Sequence, residues 1–200
     1  MEDEKKALDE LLFIKKVIED SKKIAADNGM GYIVWGFLIM IGQIGGYIRY
    51  KYNLDFDYIL AWIIIIAIGW TFSYFMYYRR KDKNKVHTFA GKILGGLWFY
   101  TGVSMTIAGF VGYYSHSVPG ESLAAVLCTI LGGAYYLVAI ISDLKWMKFF
   151  GVFWWLGGIL LFFIKTYDLF LVMALLMLFG QIIPGLVLYY KFKRQQGIQQ

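Results

Sequence analysis

Six long stretches of this chain contain no charged residue, and they limit its possible folds more than any other feature. They are residues 31–48, 58–78, 93–114, 123–142, 149–164 and 169–190. A helix that spans a bilayer needs about 20 apolar residues, within a range of about 17–25. Hydrophobic residues make up 59% of the sequence, against about 45–50% in soluble domains. The sequence therefore predicts an all-α membrane protein, a bundle of six transmembrane helices.

The runs are typical of helices and not of barrel strands. Strands of a membrane barrel alternate apolar and polar residues, and Ile63-Ile64-Ile65-Ile66 does not alternate. A helix also satisfies its own backbone hydrogen bonds in lipid. The predicted organisation is an amphipathic cytoplasmic helix at 1–28, the six-span domain at 29–192 and a cytoplasmic tail at 193–200.

The distribution of Lys and Arg predicts the orientation. The N-terminal segment, the second and fourth connections and the tail hold 17 of these residues, and the other three connections hold 3. Positive charge collects on the cytoplasmic side, so both termini are expected in the cytoplasm. The net charge of +6 then reflects orientation and anionic lipid, and no direct nucleic-acid partner is expected. About thirty charge-rich residues precede the first run, which is unlike a cleavable signal peptide.

The segment before the first run has the pattern of an amphipathic helix. A stripe with 4-3-4-3-4 spacing lies along one face, formed by Ala7, Leu11, Ile14, Ile18, Ser21 and Ala25. Three interpretations remain open: the helix rests on the inner leaflet, pairs with its copy in a dimer, or docks a soluble partner. The expected partner face is Leu11, Ile14 and Ile18, and the expected partners are membrane lipids, a second copy or another protein.

Residues 10–21 (ELLFIKKVIEDS), Asn28-Gly29 and residues 31–36 (GYIVWG) resemble the start of a family of bacterial membrane proteins with no assigned activity. The resemblance covers about the first forty residues. Members of such families often occur beside winged-helix regulators, which would imply a role through a partner. The resemblance implies no catalytic residue.

The runs lack the groups on which membrane enzymes depend. None contains an ionisable Asp, Glu, Lys, Arg or His, and such a residue inside the membrane would indicate a functional site. Cys128 is the single cysteine, and no metal-ligand spacing occurs. We therefore expect no enzyme activity, no cofactor and no metal. The expected function is a membrane-embedded partner-binding, sensory or regulatory module, and the alternative is a small permease or channel for a neutral solute or lipid.

The neutral polar residues in the runs form a candidate patch. Gln43 and Gln181 lie at similar estimated depths in the first and last runs. Pro184 cannot donate to the carbonyl of Gly180 and displaces it, which predicts a free acceptor beside Gln181. The patch could line a ligand path, or it could only join helices by hydrogen bonds worth about 0.6–2 kcal/mol each.

The third run carries glycines at seven-residue spacing, Gly95, Gly102 and Gly109. Small residues on one face let helix backbones approach closely in membranes. This candidate helix-packing stripe predicts that the third span is a central packing helix.

Overall fold

The computed structural model describes residues 2–27, 29–81 and 89–197, and this part of the chain contains helices and no strand. The helices are α1 (Glu2–Asp27), α2 (Gly29–Tyr52), α3 (Tyr58–Lys81), α4 (Phe89–Thr106), α5 (Gly120–Ile141), α6 (Lys145–Phe163), α7 (Asp168–Met177) and α8 (Ile183–Gly197). A π-helical segment, Ile107–Gly112, continues α4, and another, Leu178–Ile182, joins α7 to α8.

Six of these helical stretches are long and apolar enough to cross a membrane, which confirms the predicted fold class. They are α2, α3, α4 with its π segment, α5, α6, and the continuous stretch from α7 to α8. We call this last stretch the sixth span. The predicted boundary at residue 28, between the amphipathic helix and the first span, lies outside the described residues. The basic second connection falls largely at residues 82–88, outside the described residues.

Contacts near the helix ends place alternate connections together. The rings of Tyr47 and Tyr167 lie 5.7 Å apart, and Lys165 Nζ lies 3.2 Å from Glu121 Oε1. The first, third and fifth connections therefore share one end of the bundle. At the other end, Ser142 Oγ donates to the Ser21 carbonyl at 3.3 Å, so α1 packs where α5 finishes. The chain enters and leaves the bundle at this second end.

The best-packed part of the bundle is formed by α5, α6 and the sixth span, with α2 packed against the sixth span. Glycines permit these close approaches because they have no side chain to separate the backbones. A Cβ added at Gly29 in α2 would lie 2.6 Å from the Tyr189 nitrogen of α8, and one at Gly151 in α6 would lie 3.0 Å from the Gly132 carbonyl of α5. Trp154 and Tyr135 are fully buried here.

The second and third spans are peripheral, which corrects the prediction of a central third span. Only 6% of the α3 span and 11% of the third span are buried, against 50% of α5 and 56% of the sixth span. The third span packs on α5 and α1, and α3 packs on α2. The predicted centre of the bundle is occupied instead by α5 and the sixth span.

Candidate intramembrane binding site

A partly enclosed cavity of about 1780 Å³ lies among α2, α3, α4, α5 and α7. It exists because α3 and α4, although consecutive, pack against different partners and leave space between them. The lining is mostly apolar and aromatic and includes four tryptophans, Trp35, Trp62, Trp70 and Trp98. Its residues run from Tyr77 and Gly91 near one end of the bundle to Tyr113 and Lys165 near the other.

Tryptophan side chains hold the cavity walls in place. Trp35 Nε1 donates to Ser73 Oγ at 2.9 Å, which ties α2 to α3, and the Trp35 ring lies over Gly69. Trp70 of α3 reaches across to α4, where a Cβ at Gly102 would lie 3.0 Å from its ring. The Trp70 side chain thus bridges the cavity and brings the second span into contact with the third.

Gln181 is fixed at the cavity wall by a hydrogen bond that the sequence did not predict. Its Oε1 accepts from the Tyr135 hydroxyl at 2.6 Å, and both residues are buried. Tyr135 also packs edge to face against Tyr32 of α2, with ring centroids 5.4 Å apart. The Gln181 amide therefore joins the sixth span to α5, which is a structural role.

The free carbonyl predicted at Gly180 also has a partner. Pro184 lies just after the π-helical segment Leu178–Ile182 and has no N–H with which to close the regular helical bond to Gly180. Trp154 Nε1 of α6 donates to this carbonyl at 3.2 Å. A buried acceptor without a partner would cost about 1–3 kcal/mol, so the Trp154 indole offsets the defect that Pro184 creates.

Gln43 does not join this group, so the predicted four-residue patch is divided. Gly36 of α2 is the residue opposite Gln181, since a Cβ there would lie 3.0 Å from Gln181 Cγ. Gln43 lies seven residues further along α2, about 10 Å along the helix axis. It lines the cavity, and its Oε1 has no hydrogen-bond partner among the described residues. Gln43 is therefore a buried polar residue that lines the cavity and whose side-chain oxygen no described residue engages.

The α4 glycines line the cavity and do not form the predicted packing seam. A Cβ added at Gly95 or Gly109 would meet nothing within 4 Å, and only Gly102 has a close neighbour, Trp70. Because glycine has no side chain, the stripe widens the cavity along the α4 wall. Seven-residue spacing places the three residues on one face but does not indicate what that face meets.

The predicted partner face on α1 is also divided. The side chains of Leu11 and Ile14 are 64% and 53% exposed, whereas Ile18 is half-buried. Ser21, on the same stripe, is fully buried against the end of α5. The C-terminal part of the stripe packs on the chain's own bundle, and the N-terminal part is left uncovered.

Two side chains that position the candidate residues escaped the sequence analysis. Tyr135 and Trp154 donate the hydrogen bonds that hold Gln181 and Gly180. Both lie well inside their spans, away from the ends where Tyr and Trp form interface belts. That mid-span position was the available signal, because a buried Tyr or Trp usually has a hydrogen-bond partner.

Among the described residues, no three His, Cys, Asp or Glu side chains group as metal ligands would. Cys128 is buried with its Sγ 3.5 Å from Met173 Sδ, in apolar packing between α5 and α7. The geometry therefore favours a cavity that binds through apolar contact and few hydrogen bonds. No protein-family model, curated protein or solved structure matches the chain.

Proposed function

We propose that this membrane protein is a binding module that holds a neutral amphipathic molecule of lipid type in the cavity. The observation that carries the proposal is the cavity itself, about 1780 Å³ among the membrane spans. Pockets for drug-sized ligands measure about 300–1,000 Å³. A molecule with one or more long hydrocarbon chains suits this larger volume, and the bilayer supplies such molecules directly.

The lining supports a neutral ligand. Of the lining residues that the structure describes, the acidic and basic ones are Glu121 and Lys165, at one end of the cavity and bonded to each other. A charged head group deeper in the cavity would lie among apolar side chains at a high desolvation cost. Hydrocarbon chains, in contrast, would contact the aromatic and aliphatic walls.

Gln43 is the candidate contact for a polar group of the ligand. Its Oε1 is enclosed and accepts no hydrogen bond from the described residues. The terminal torsion of a glutamine side chain has a broad energy well, so the amide can rotate to meet a ligand in the cavity that Gln43 lines. A hydroxyl or amide on the ligand could then donate to it. Gln181 is held by Tyr135 and is a positioning residue for the wall.

The proposed setting is the inner membrane of a bacterium, with both termini in the cytoplasm. Support comes from the 17-to-3 division of Lys and Arg, because positive charge collects on the cytoplasmic side. The position of α1 and the end of the sixth span at the same end of the bundle agrees with it. The proposed activity is binding without catalysis, in a sensory or regulatory role. The alternative of a small permease uses the same cavity, because its lining residues reach both ends of the bundle.

Quenching of tryptophan fluorescence tests the proposal, because four tryptophans line the cavity. The probe is a diacylglycerol with brominated acyl chains, which is neutral and carries one hydroxyl, added to purified protein in dodecyl maltoside. We expect saturable quenching, with a Kd that rises about three- to twentyfold in Gln43→Leu, the equivalent of one intramembrane hydrogen bond. Movement of the probe between the leaflets of proteoliposomes would favour the permease.

Thr71→Val is the matched control. Thr71 lies on the exposed side of α3, and its hydroxyl bonds to the carbonyl of Ala67 in its own helix. Removing this hydroxyl should leave the Kd of the probe unchanged. Quenching that rises linearly with probe and does not saturate, or an equal Kd for Gln43→Leu and wild type, would contradict the proposed site.

A further inference from the structure

The bundle covers helix α1 only in part. Ser21 is buried against Ser142 of α5, and the Phe13 ring lies 6.3 Å from that of Phe89 at the start of α4, although Phe13 remains 58% exposed. These contacts show that α1 runs across the ends of two spans. Leu8, Leu11 and Leu12 are 57%, 64% and 56% exposed, and we call the side of α1 that carries these three residues its exposed face.

A row of alternating charges runs beside this exposed face. At 3.6 residues per turn, four charged residues between positions 4 and 21 fall within about 60° of one another around the helix axis, next to Leu12. In chain order they are Lys5, Asp9, Lys16 and Asp20. The spacing is symmetrical about the midpoint between residues 12 and 13, but the sign of the charge reverses across that midpoint.

This symmetry makes the row complementary to its own reversed copy. When two such helices run antiparallel about the midpoint, Lys5 of one faces Asp20 of the other, and Asp9 faces Lys16. Each pairing occurs twice, so the two helices form four pairs of opposite charge. The same alignment places Leu11 and Leu12 of one helix beside Leu11 and Leu12 of the other.

We propose that the exposed face of α1 docks a second copy of this chain as an antiparallel helix pair. Two copies in one membrane are related by a two-fold axis along the membrane normal, since cyclic dimers are closed by such an axis. A helix that crosses the bundle end lies across that axis, so its copy runs in the opposite direction. The charges and the placement of α1 thus require the same arrangement.

The membrane surface matches this face of α1 less well than a second copy of the chain does. Helices that lie on anionic lipid carry Lys and Arg on the polar face. Between positions 4 and 21 the row on α1 holds two acidic and two basic residues, so an anionic lipid surface attracts and repels this part of it equally. A parallel pair of α1 helices also fits less well. In a parallel pair the charged row of one helix would face the other side of its partner, where Ile18 is half-buried toward its own bundle.

Single charge reversals test the pairing, because Asp9 and Lys16 are both exposed. In Asp9→Lys, and separately in Lys16→Glu, two attractive pairs of the dimer become repulsive. We expect the dissociation constant of the dimer to be about tenfold higher in each variant than in wild type. Light scattering in dodecyl maltoside at low salt, over a series of protein concentrations, measures it. Glu10→Lys, which changes the net charge equally but lies off the row, should dimerise as wild type does.

Co-expression of the two reversed chains with different affinity tags gives the decisive result. The mixed dimer restores both attractive pairs, so the two tags should purify together with wild-type yield, although each chain alone is mostly monomeric. Monomeric wild type, or reversed chains that pair no better together than alone, would overturn the proposal and leave α1 on lipid.

Disulfide cross-linking in a Cys128→Ala background fixes the direction. A chain carrying Lys5→Cys should cross-link to a differently tagged chain carrying Asp20→Cys, and should not cross-link to itself. Cross-linking of Lys5→Cys chains to one another would mean parallel helices, which would overturn the antiparallel pair.

Discussion

The bundle has a closed side and an open side, although both are built from helices of similar composition. On the closed side, formed by α5, α6 and the sixth span, 50%, 33% and 56% of the respective spans are buried. On the open side, formed by the second and third spans, the shares are 6% and 11%. The mean hydropathy of all six spans is high, so hydropathy does not cause the difference. The two sides differ in whether their glycines lie against a neighbouring helix or against open space.

Glycines illustrate this difference most directly. On the closed side, a Cβ at Gly158 would lie 3.2 Å from the Ala125 carbonyl, and one at Gly180 would lie 2.9 Å from the Phe153 ring. On the open side, a Cβ at Gly95 or Gly109 would meet nothing within 4 Å. The same residue type therefore brings helices together on one side and leaves open space between helices on the other.

The largest expected effect comes from closing a glycine contact between backbones. In Gly29→Ala the new methyl group would lie 2.6 Å from the Tyr189 nitrogen and 2.7 Å from the Gly185 carbonyl, atoms that cannot move without shifting α8. We expect the free energy of unfolding to fall by about 2 kcal/mol or more. Equilibrium unfolding in mixed micelles of dodecyl maltoside and sodium dodecyl sulfate, followed by near-ultraviolet circular dichroism, measures it.

The control is Gly45→Ala in the same helix, where a Cβ meets nothing within 4 Å. Alanine favours helix over glycine by up to about 1 kcal/mol, so this variant should be as stable as wild type or slightly more stable. Equal losses in Gly29→Ala and Gly45→Ala would mean that the close approach of α2 and α8 does not stabilise the closed side.

A smaller loss of stability is expected from removing the hydrogen bond that Trp154 donates to the Gly180 carbonyl. Trp154→Phe removes the donor to the Gly180 carbonyl and should lower the free energy of unfolding by about 1–2 kcal/mol. In a Pro184→Ala background the restored N–H can bond to that carbonyl, so the same change should cost less. A coupling of about 0.5 kcal/mol or more in this double-mutant cycle supports the repair, and additive losses would show that Trp154 stabilises only by its volume.

The fold class could be predicted because it depends on sums over many residues. Six uncharged runs are long enough to span a bilayer whatever their neighbours are, and the helices found match their number. Helix ends shifted by a few residues, as for α6, which begins at Lys145 and not at 149.

The candidate site was predicted less well because it depends on which helix faces which. Depth estimates from the run midpoints placed Gln43 near Gln181, but α2 meets the sixth span in a register set by Gly36. The spacing of the α4 glycines gave their shared face and not its neighbour. Tyr135, the partner of Gln181, lies 46 residues away along the chain, and no local pattern relates the two.

The smallest effect on stability, and a clear effect on binding, is expected on the open side. Gly95→Leu and Gly109→Leu place a side chain in the cavity where no atom lies within 4 Å of the new Cβ. The free energy of unfolding should stay within about 1 kcal/mol of wild type, because no neighbour is displaced and leucine favours helix over glycine. The brominated diacylglycerol should bind more weakly, because the leucine side chains occupy part of the cavity volume.

Gly102→Leu is the control within the same helix. Its side chain would displace Trp70, so it should change stability as well as binding. If Gly95→Leu and Gly109→Leu destabilised the protein as much as Gly29→Ala does, the open side would be packed against a further helix in the membrane. The comparison between the two sides would then describe one chain and not the assembled protein.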